Sequence, residues 1–323
     1  MNFYFSAESF KHSEGAMTLR IIKAGTLSLL QDLGRFGYQH VGVTPGGPMD
    51  NHAFYWANRL LDNPCNATQI EITMGPFHAI FEKNTTFSLC GADVVALLNN
   101  KEISNWHSWV AKSGDVLTLS YPKNGLRTYL AVAGGFDIPT TLGSTSTVLR
   151  DQFGGITQKG QKLCDGDILA YQPTVLPHSR RVAKDFIPDF ESTLNIGVLP
   201  TCQFDQFDKE AKNTFFNQIY TLTSLMDRMG YRLKGEPIHF HQQDFISEGI
   251  ALGAIQIPAN GQPIILMRDR QTVGGYPKIG CVCNRDLNLL AQATPGTKIK
   301  FFIQDIFEAE AELQQEQQYF FSV

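Results

Sequence analysis

Residues 26–38, TLSLLQDLGRFGY, return as TLTSLMDRMGYRL at 221–233, and IEITMGPFHAIF at 70–81 is echoed by SEGIALGAIQIP at 247–258. A third pair keeps the order: GADVVALLNNKEI then SGDVLTL, against GQPIILMRDRQTV then PGTKIKF, each a strand, a polar insertion and a Gly-led strand. Each copy of such a repeat must bury its own apolar face, so the chain is built from two related units. The first is expected over 18–185 and the second over 193–306, joined by QPTVLPHSRRVAKDFIPDF. Residues 1–17 read as a loose leader, and removing residues 1–16 to start at Met17 is expected to leave stability and activity unchanged; 307–323 read as a C-terminal tail.

Alternating or β-branched runs at 19–22, 86–89, 94–98, 116–119, 130–133 and 299–302 are separated by Gly, Pro and Asn turns, among them Asn124-Gly125. Helical patterns are few: MDNHAFYWANRLL with Asp50 as N-cap, QFDKEAKNTFFNQ, and the Glu/Gln-rich 308–318. The expected fold class is therefore mainly β, two related barrels, closed or nearly so, with a few short helices.

Composition narrows the partners. The 323 residues are 43% hydrophobic and 18% charged, as in an ordinary soluble protein. A net charge of -4 without a Lys/Arg run gives no support to nucleic acid or an anionic membrane as partner. The six cysteines form no CxxC, which speaks against a zinc site or disulfide framework and for a reduced, cytoplasmic compartment. No apolar run reaches the ~18 residues of a membrane helix, and the leader lacks a signal-peptide pattern. His239 and His241 share a strand face, but no third ligand accompanies them and no metal is expected. Phosphate-loop, GxGxxG, HExxH and GxSxG motifs are missing; Ser120-Tyr121-Pro122-Lys123 fits SxxK by letter alone.

The stretch RDRQTVGGYP, 268–277, follows the apolar run 263–267 and offers several donors, a flexible glycine pair and a stiff exit. It reads as a site or as an elaborate turn. Segment 31–50 holds five glycines, two prolines, Arg35 and His40, and ends where the first helix begins. Small residues let backbone amides approach a ligand, and an arginine among them binds a carboxylate or phosphate; the alternative is a long loop with a surface ion pair. In the repeat partner, Asp227 and Arg228 precede Gly230 much as Asp32 precedes Gly34 and Arg35. Either each Asp caps a turn and each Arg pairs locally, or both arginines meet at one cleft. On the second reading Gln271, Thr272 and Arg228 are catalytic, while Arg35, Asp269, Gly274, Gly275 and Tyr276 bind a small amide or carboxylate substrate. Arg228→Ala and Thr272→Val are then expected to lower turnover with folding intact.

LLQDLGRFGYQHVGVTPGGPMDNHAF, RTYLAVAGGFDIPTTLGSTST, DRMGYRLKG, SEGIALGAIQIPANGQPIILMRDRQTVGGYPKIG and DLNLLAQATPGTKIKF together resemble the allophanate hydrolase subunit 2, or KipA, family of biotin-dependent carboxyltransferase-like proteins, over about 19–303. Val273 departs from the family's usual second threonine. The resemblance implies two cyclophilin-like barrels and a partner of the subunit 1, or KipI, type. Unfused members resemble the C component of 5-oxoprolinase, which with the A and B components hydrolyses 5-oxoproline to glutamate using ATP bound by the complex. Two further roles follow from the same resemblance. One is a carboxyltransferase component acting on urea with carboxybiotin; the other is a regulatory protein that binds a KipI-like kinase inhibitor.

Overall fold

A computed structural model of the chain describes residues 18–240 and 246–321; the expected leader and His241 lie outside them. The first sheet orders its strands Leu27–Gln31, Gln69–Thr73, Val116–Val132, Phe77–Phe81, Thr18–Lys23, Ile168–Ala170. Thr85–Leu98 pairs along Val116–Val132 and also carries Lys101–Ile103 and His107–Ala111. The second unit is a closed barrel: Thr193–Pro200, Lys278–Val282, Ala254–Gln256, Ile264–Leu266, Gly230–Lys234, Tyr220–Met226, Lys298–Ile303. Parallel pairing from Thr193↔Lys298 to Val198↔Ile303 closes the ring. A separate ribbon pairs Glu248 with Gly274 and Gly249 with Val273.

Alternation explains the faces. In Lys298–Ile303, Ile299 and Phe301 are buried with Leu194, Ile196 and Val198 of the parallel neighbour, while Lys298 and Lys300 stay outside. Leu19, Ile21, Phe77, Phe81, Phe87 and Leu130 fill the corresponding core of the first sheet.

Four sequence runs join in pairs as parts of two long strands, 86–89 with 94–98 in the 14-residue Thr85–Leu98 and 116–119 with 130–132 in the 17-residue Val116–Val132. The expected Asn124-Gly125 turn is corrected: both residues stay inside Val116–Val132, where Gly125 takes φ 79° and the register shifts between Gly91 and Asp93 opposite it. A bulge absorbs what a hairpin would otherwise need, so Ser120-Tyr121-Pro122-Lys123 lies within a strand.

Helix α1 (Asn51–Arg59) begins at Asp50, whose carboxylate accepts from Ala53 N at 3.0 Å. Helix α2 (Lys209–Asn217) is capped likewise by Asp208 on Ala211 N at 2.7 Å. Helix α3 (Asn284–Gln292) has no counterpart among the expected helices, because its N-cap position holds Cys283, which makes no side-chain cap bond. Helix α4 (Ile306–Phe321) covers the tail and returns to the first unit, where Phe320 packs 5.1 Å from Tyr55 and Arg59 Nη1 donates to Tyr319 O at 2.8 Å. Among the described residues no helix is long and apolar enough to cross a membrane, and the six cysteines are unpaired.

The two units meet through polar groups as well as packing. Asn51 N donates to Asn288 Oδ1 at 2.9 Å, and Gln292 Nε2 donates to Asp50 Oδ2 at 2.7 Å. The Gln292 side-chain carbonyl accepts from Leu126 N and Arg127 N at 2.9 and 2.8 Å, so α3 is tied to the first sheet's longest strand.

Candidate functional site

Arg228 leaves the barrel just after strand Tyr220–Met226 and crosses to the first unit. Its Nε and Nη2 each donate to Asp269 at 2.9 Å, Nη1 donates to Glu71 at 2.7 Å, and Nη2 also donates to Gly47 O at 2.7 Å. Arg127 Nε lies 3.8 Å from the same Glu71 oxygen, and Arg127 Nη1 donates to Tyr231 OH at 2.9 Å. The other Glu71 oxygen accepts from Met49 N at 2.8 Å and Tyr129 OH at 2.7 Å. All these charged groups are buried. Burial opposes the Arg228 charge, but Asp269 and Glu71 outweigh it and raise the guanidinium's pKa above its ordinary value. Burial likewise opposes the Glu71 charge, and Arg228 with Arg127 outweighs it, lowering the carboxyl below its ordinary value.

Arg35 lies behind the same joint. It is 1% exposed, with Nε donating to Thr141 O at 3.3 Å and Nη2 to Ser146 O at 2.5 Å, while Nη1 has no partner. Burial lowers its pKa against the opposing pull of Asp32, Asp269 and Asp151. Asp32 organises the loop that holds it, accepting from Gly34 N, Ser144 Oγ, Ser146 Oγ and Thr145 N at 2.9, 2.5, 2.7 and 2.8 Å. Asp227 plays the matching part in the repeat, accepting from Met229 N at 2.7 Å and Gly230 N at 3.1 Å. Each Asp therefore caps a turn, whereas Arg228 pairs across the molecule.

The RDRQTVGGYP stretch divides at Arg270. Before it, Asp269 belongs to the clamp. After it, Gln271, Thr272, Gly274 and Gly275 are half-buried, and Val273 and Tyr276 are 58% and 51% exposed. Thr272 O accepts from Ile250 N at 3.0 Å, extending the ribbon. A Cβ on Gly274 would meet Ile250 Cδ1 at 2.7 Å and Gln256 Nε2 at 3.1 Å, so a larger residue there must push these side-chain ends aside. Thr44 Oγ1 donates to Arg270 O at 3.2 Å and ties the first unit's glycine-rich loop to the root of the ribbon.

Arg35, Arg228 and Asp269 thus gather at the Gly46-Gly47 turn, and Gln271 to Tyr276 stand beside them on an exposed ribbon. A cleft of about 500 Å³ opens at the clamp, lined by Leu27, Met74, Leu149, Met226, Met229 and Asp269 among others. The expectation that Arg228 can be removed with folding intact is corrected: its loss takes the paired cation from buried Asp269 and leaves buried Glu71 with Arg127 alone. Sequence reasoning does not single out Glu71, Gln203, Glu248 or Lys278. Glu71 and Glu248 are nonetheless visible as the shared second residue of the repeat IEITMG and SEGIAL.

A seven-stranded barrel clamped by buried ion pairs to a larger β sheet, with a glycine ribbon at the joint, defines a two-unit β protein of the carboxyltransferase type. The chain belongs to the carboxyltransferase domain family, whose subdomains A and B match residues 41–303. It is 38% identical to the C component of 5-oxoprolinase from Escherichia coli K12 over 94% of this chain and 96% of that protein. Urea amidolyase of Lachancea kluyveri is 29% identical over 87% of this chain, which spans only 16% of that protein. The crystal structure of Kluyveromyces lactis urea carboxylase superposes with a TM-score of 0.87 at 28% identity, covering 97% of this chain and 30% of that one.

Proposed function

We propose that this chain is the C component of a cytoplasmic, ATP-dependent 5-oxoprolinase, hydrolysing 5-oxoproline to glutamate together with an A-like subunit and a B-like, KipI-type subunit. The observation that carries this reading is end-to-end similarity: the C component of the E. coli 5-oxoprolinase is matched over 96% of its length, the urea amidolyase over 16%. The substrate is a small amide, and the ribbon supplies what polarising its carbonyl needs: the Gly275 N–H beyond the paired strand, with Gln271 and Thr272 alongside. Arg35 and Asp269 sit at the root of that ribbon.

Hydrolysis of an unstrained lactam to the free amino acid is unfavourable without coupling, and the nucleotide is best placed on another subunit. The glycine-rich loop that enters α1 does not fit a triphosphate. Its helix N-terminus is occupied by the Asp50 carboxylate, buried and bonded to Ala53 N and Gln292. The chain is therefore inactive alone. A second reading, a urea-directed carboxyltransferase component with carboxybiotin, draws on the likeness to urea carboxylase.

Mixing the purified chain with A-like and B-like partners, ATP and 5-oxoproline tests the proposal by release of glutamate. Release is expected only from the full mixture. Hydrolysis by this chain alone removes the shared-site idea; a silent full mixture with tight binding to the B-like partner favours the urea reading or a regulatory role.

A further inference from the structure

Across the ribbon from Gly274 stands Glu248, its direct register partner. Directly opposed residues of an antiparallel pair lie about 5 Å apart at Cα and project their side chains to one face. Two groups hold the Glu248 carboxylate. Lys278 Nζ forms an ion pair 2.7 Å from Oε1 without hydrogen-bond geometry, and Gln203 Nε2 donates to the same Oε1. Both holders are fixed. The Lys278 side chain is 7% exposed, and its backbone N–H donates to Gln203 Oε1 at 2.7 Å, so Lys278 and Gln203 also bind each other. Glu248 is 41% exposed, and neither contact falls on Oε2. The result is a carboxylate anchored through one oxygen and open at the other, beside the glycine pair. Deeper in the same place, Gln256 is 1% exposed with an Nε2 that has no partner, 3.1 Å from where a Gly274 Cβ would stand.

We propose that Glu248 Oε2 accepts a hydrogen bond from the N–H of a lactam whose carbonyl is held by the Gly275 N–H, with Lys278 and Gln203 as positioning residues. The inference rests on the 5-oxoprolinase reading for its substrate and deepens it by assigning selectivity. An amide locked cis in a five-membered ring presents C=O and N–H on one edge, whereas a trans amide presents them on opposite edges. Glu248 stands opposite Gly274, one residue from Gly275, so an open acceptor and a backbone donor lie close together, as the short cis edge requires. An acceptor left without the ligand's N–H would be poorly compensated, which makes the contact discriminating. Nothing covalent is asked of Glu248.

The test is calorimetric titration of the chain, in complex with its B-like partner, with 5-oxoproline and with N-methyl-5-oxoproline, which lacks the N–H. Glu248→Ala is expected to weaken 5-oxoproline binding about tenfold, the loss of one charge-assisted hydrogen bond. The methylated compound should bind the wild type about tenfold more weakly and be indifferent to Glu248→Ala. Lys278→Met should weaken binding and Lys278→Arg restore it, a rescue that a packing role would not give; the half-exposed Glu248 makes a folded Ala variant the expected one, checked by circular dichroism. Equal affinity of the wild type for the two compounds, no binding of either, or unchanged affinity in Glu248→Ala each overturns the inference. Turnover by the full mixture reports separately on the function: N–H-dependent binding without hydrolysis keeps the Glu248 assignment and removes the 5-oxoprolinase reading.

Discussion

Glu71 of the first sheet lies 2.7 Å from Arg228 of the barrel, and the far side of the same guanidinium forks onto Asp269 at 2.9 Å through each nitrogen. One cation thus serves two carboxylates drawn from the two halves of the repeat, with Arg127 as a second cation behind Glu71. The joint between the units is electrostatic at its centre and almost wholly buried.

Glu71→Gln leaves Arg228 and Arg127 short of a buried counter-charge, and removal of one partner of such a group costs about 3–5 kcal/mol. Chemical denaturation of the variant should show a loss of that order. A loss below about 1 kcal/mol, the level of an exposed pair, would mean the joint is wet in solution.

The same residue sets part of the acid response. Arg228 and Arg127 hold the folded Glu71 carboxyl below its ordinary value although burial opposes them. Because the unfolded chain takes up the proton first, this contribution is complete above about pH 5, given an unperturbed glutamate near ~4.3, and is lost as pH falls through the folded value. Stability curves of wild type and Glu71→Gln should run parallel near neutrality and converge in acid. A difference independent of pH down to the acid-unfolding range would contradict the assignment.

Gly154 sits at φ 72°, and a Cβ there would fall 1.9 Å from Ser146 O and 2.9 Å from Arg35 Nη2. Gly154→Ala therefore combines left-handed strain with a backbone clash against the carbonyl that Arg35 binds. A thermal or denaturant measurement should show a loss of at least about 2 kcal/mol; a neutral variant would show that the 144–154 loop shifts freely.

Thr272 and Tyr276 flank the ribbon strand Val273–Gly274 beside the clamp and make no ion pair of it. In the full mixture Thr272→Val should lower turnover by about ten- to a thousandfold if its hydroxyl contacts the reacting carbonyl, with the melting temperature unchanged. Full turnover in that variant would move the site off the ribbon.

Much of this was legible in the sequence because local rules decide it. The repeat announced two units, Asp50 marked the start of a helix, and the paired Asp-Gly turns kept their capping role. What escaped was set by tertiary context. Cys283 gives no capping signal for α3, Asn124-Gly125 reads as a hairpin turn although a long strand absorbs it, and Arg228 reads as a locally paired or cleft arginine until Glu71 arrives from 157 residues away. The equivalent positions Glu71 and Glu248 differ for the same reason. One is sealed at the joint with two arginines, the other half-open on the ribbon with a lysine.

Helix α4 begins directly after the barrel's closing strand and ends with Phe320 against Tyr55 and Trp56, while Cys65 Sγ donates to Phe320 O. The polypeptide therefore passes between the units twice, once through the connector and once through this strap. A chain laced in that way has little freedom to open one half while the other stays shut. Slow amide hydrogens on both sides of the joint should exchange in a single cooperative event, so each half inherits the lifetime of the whole.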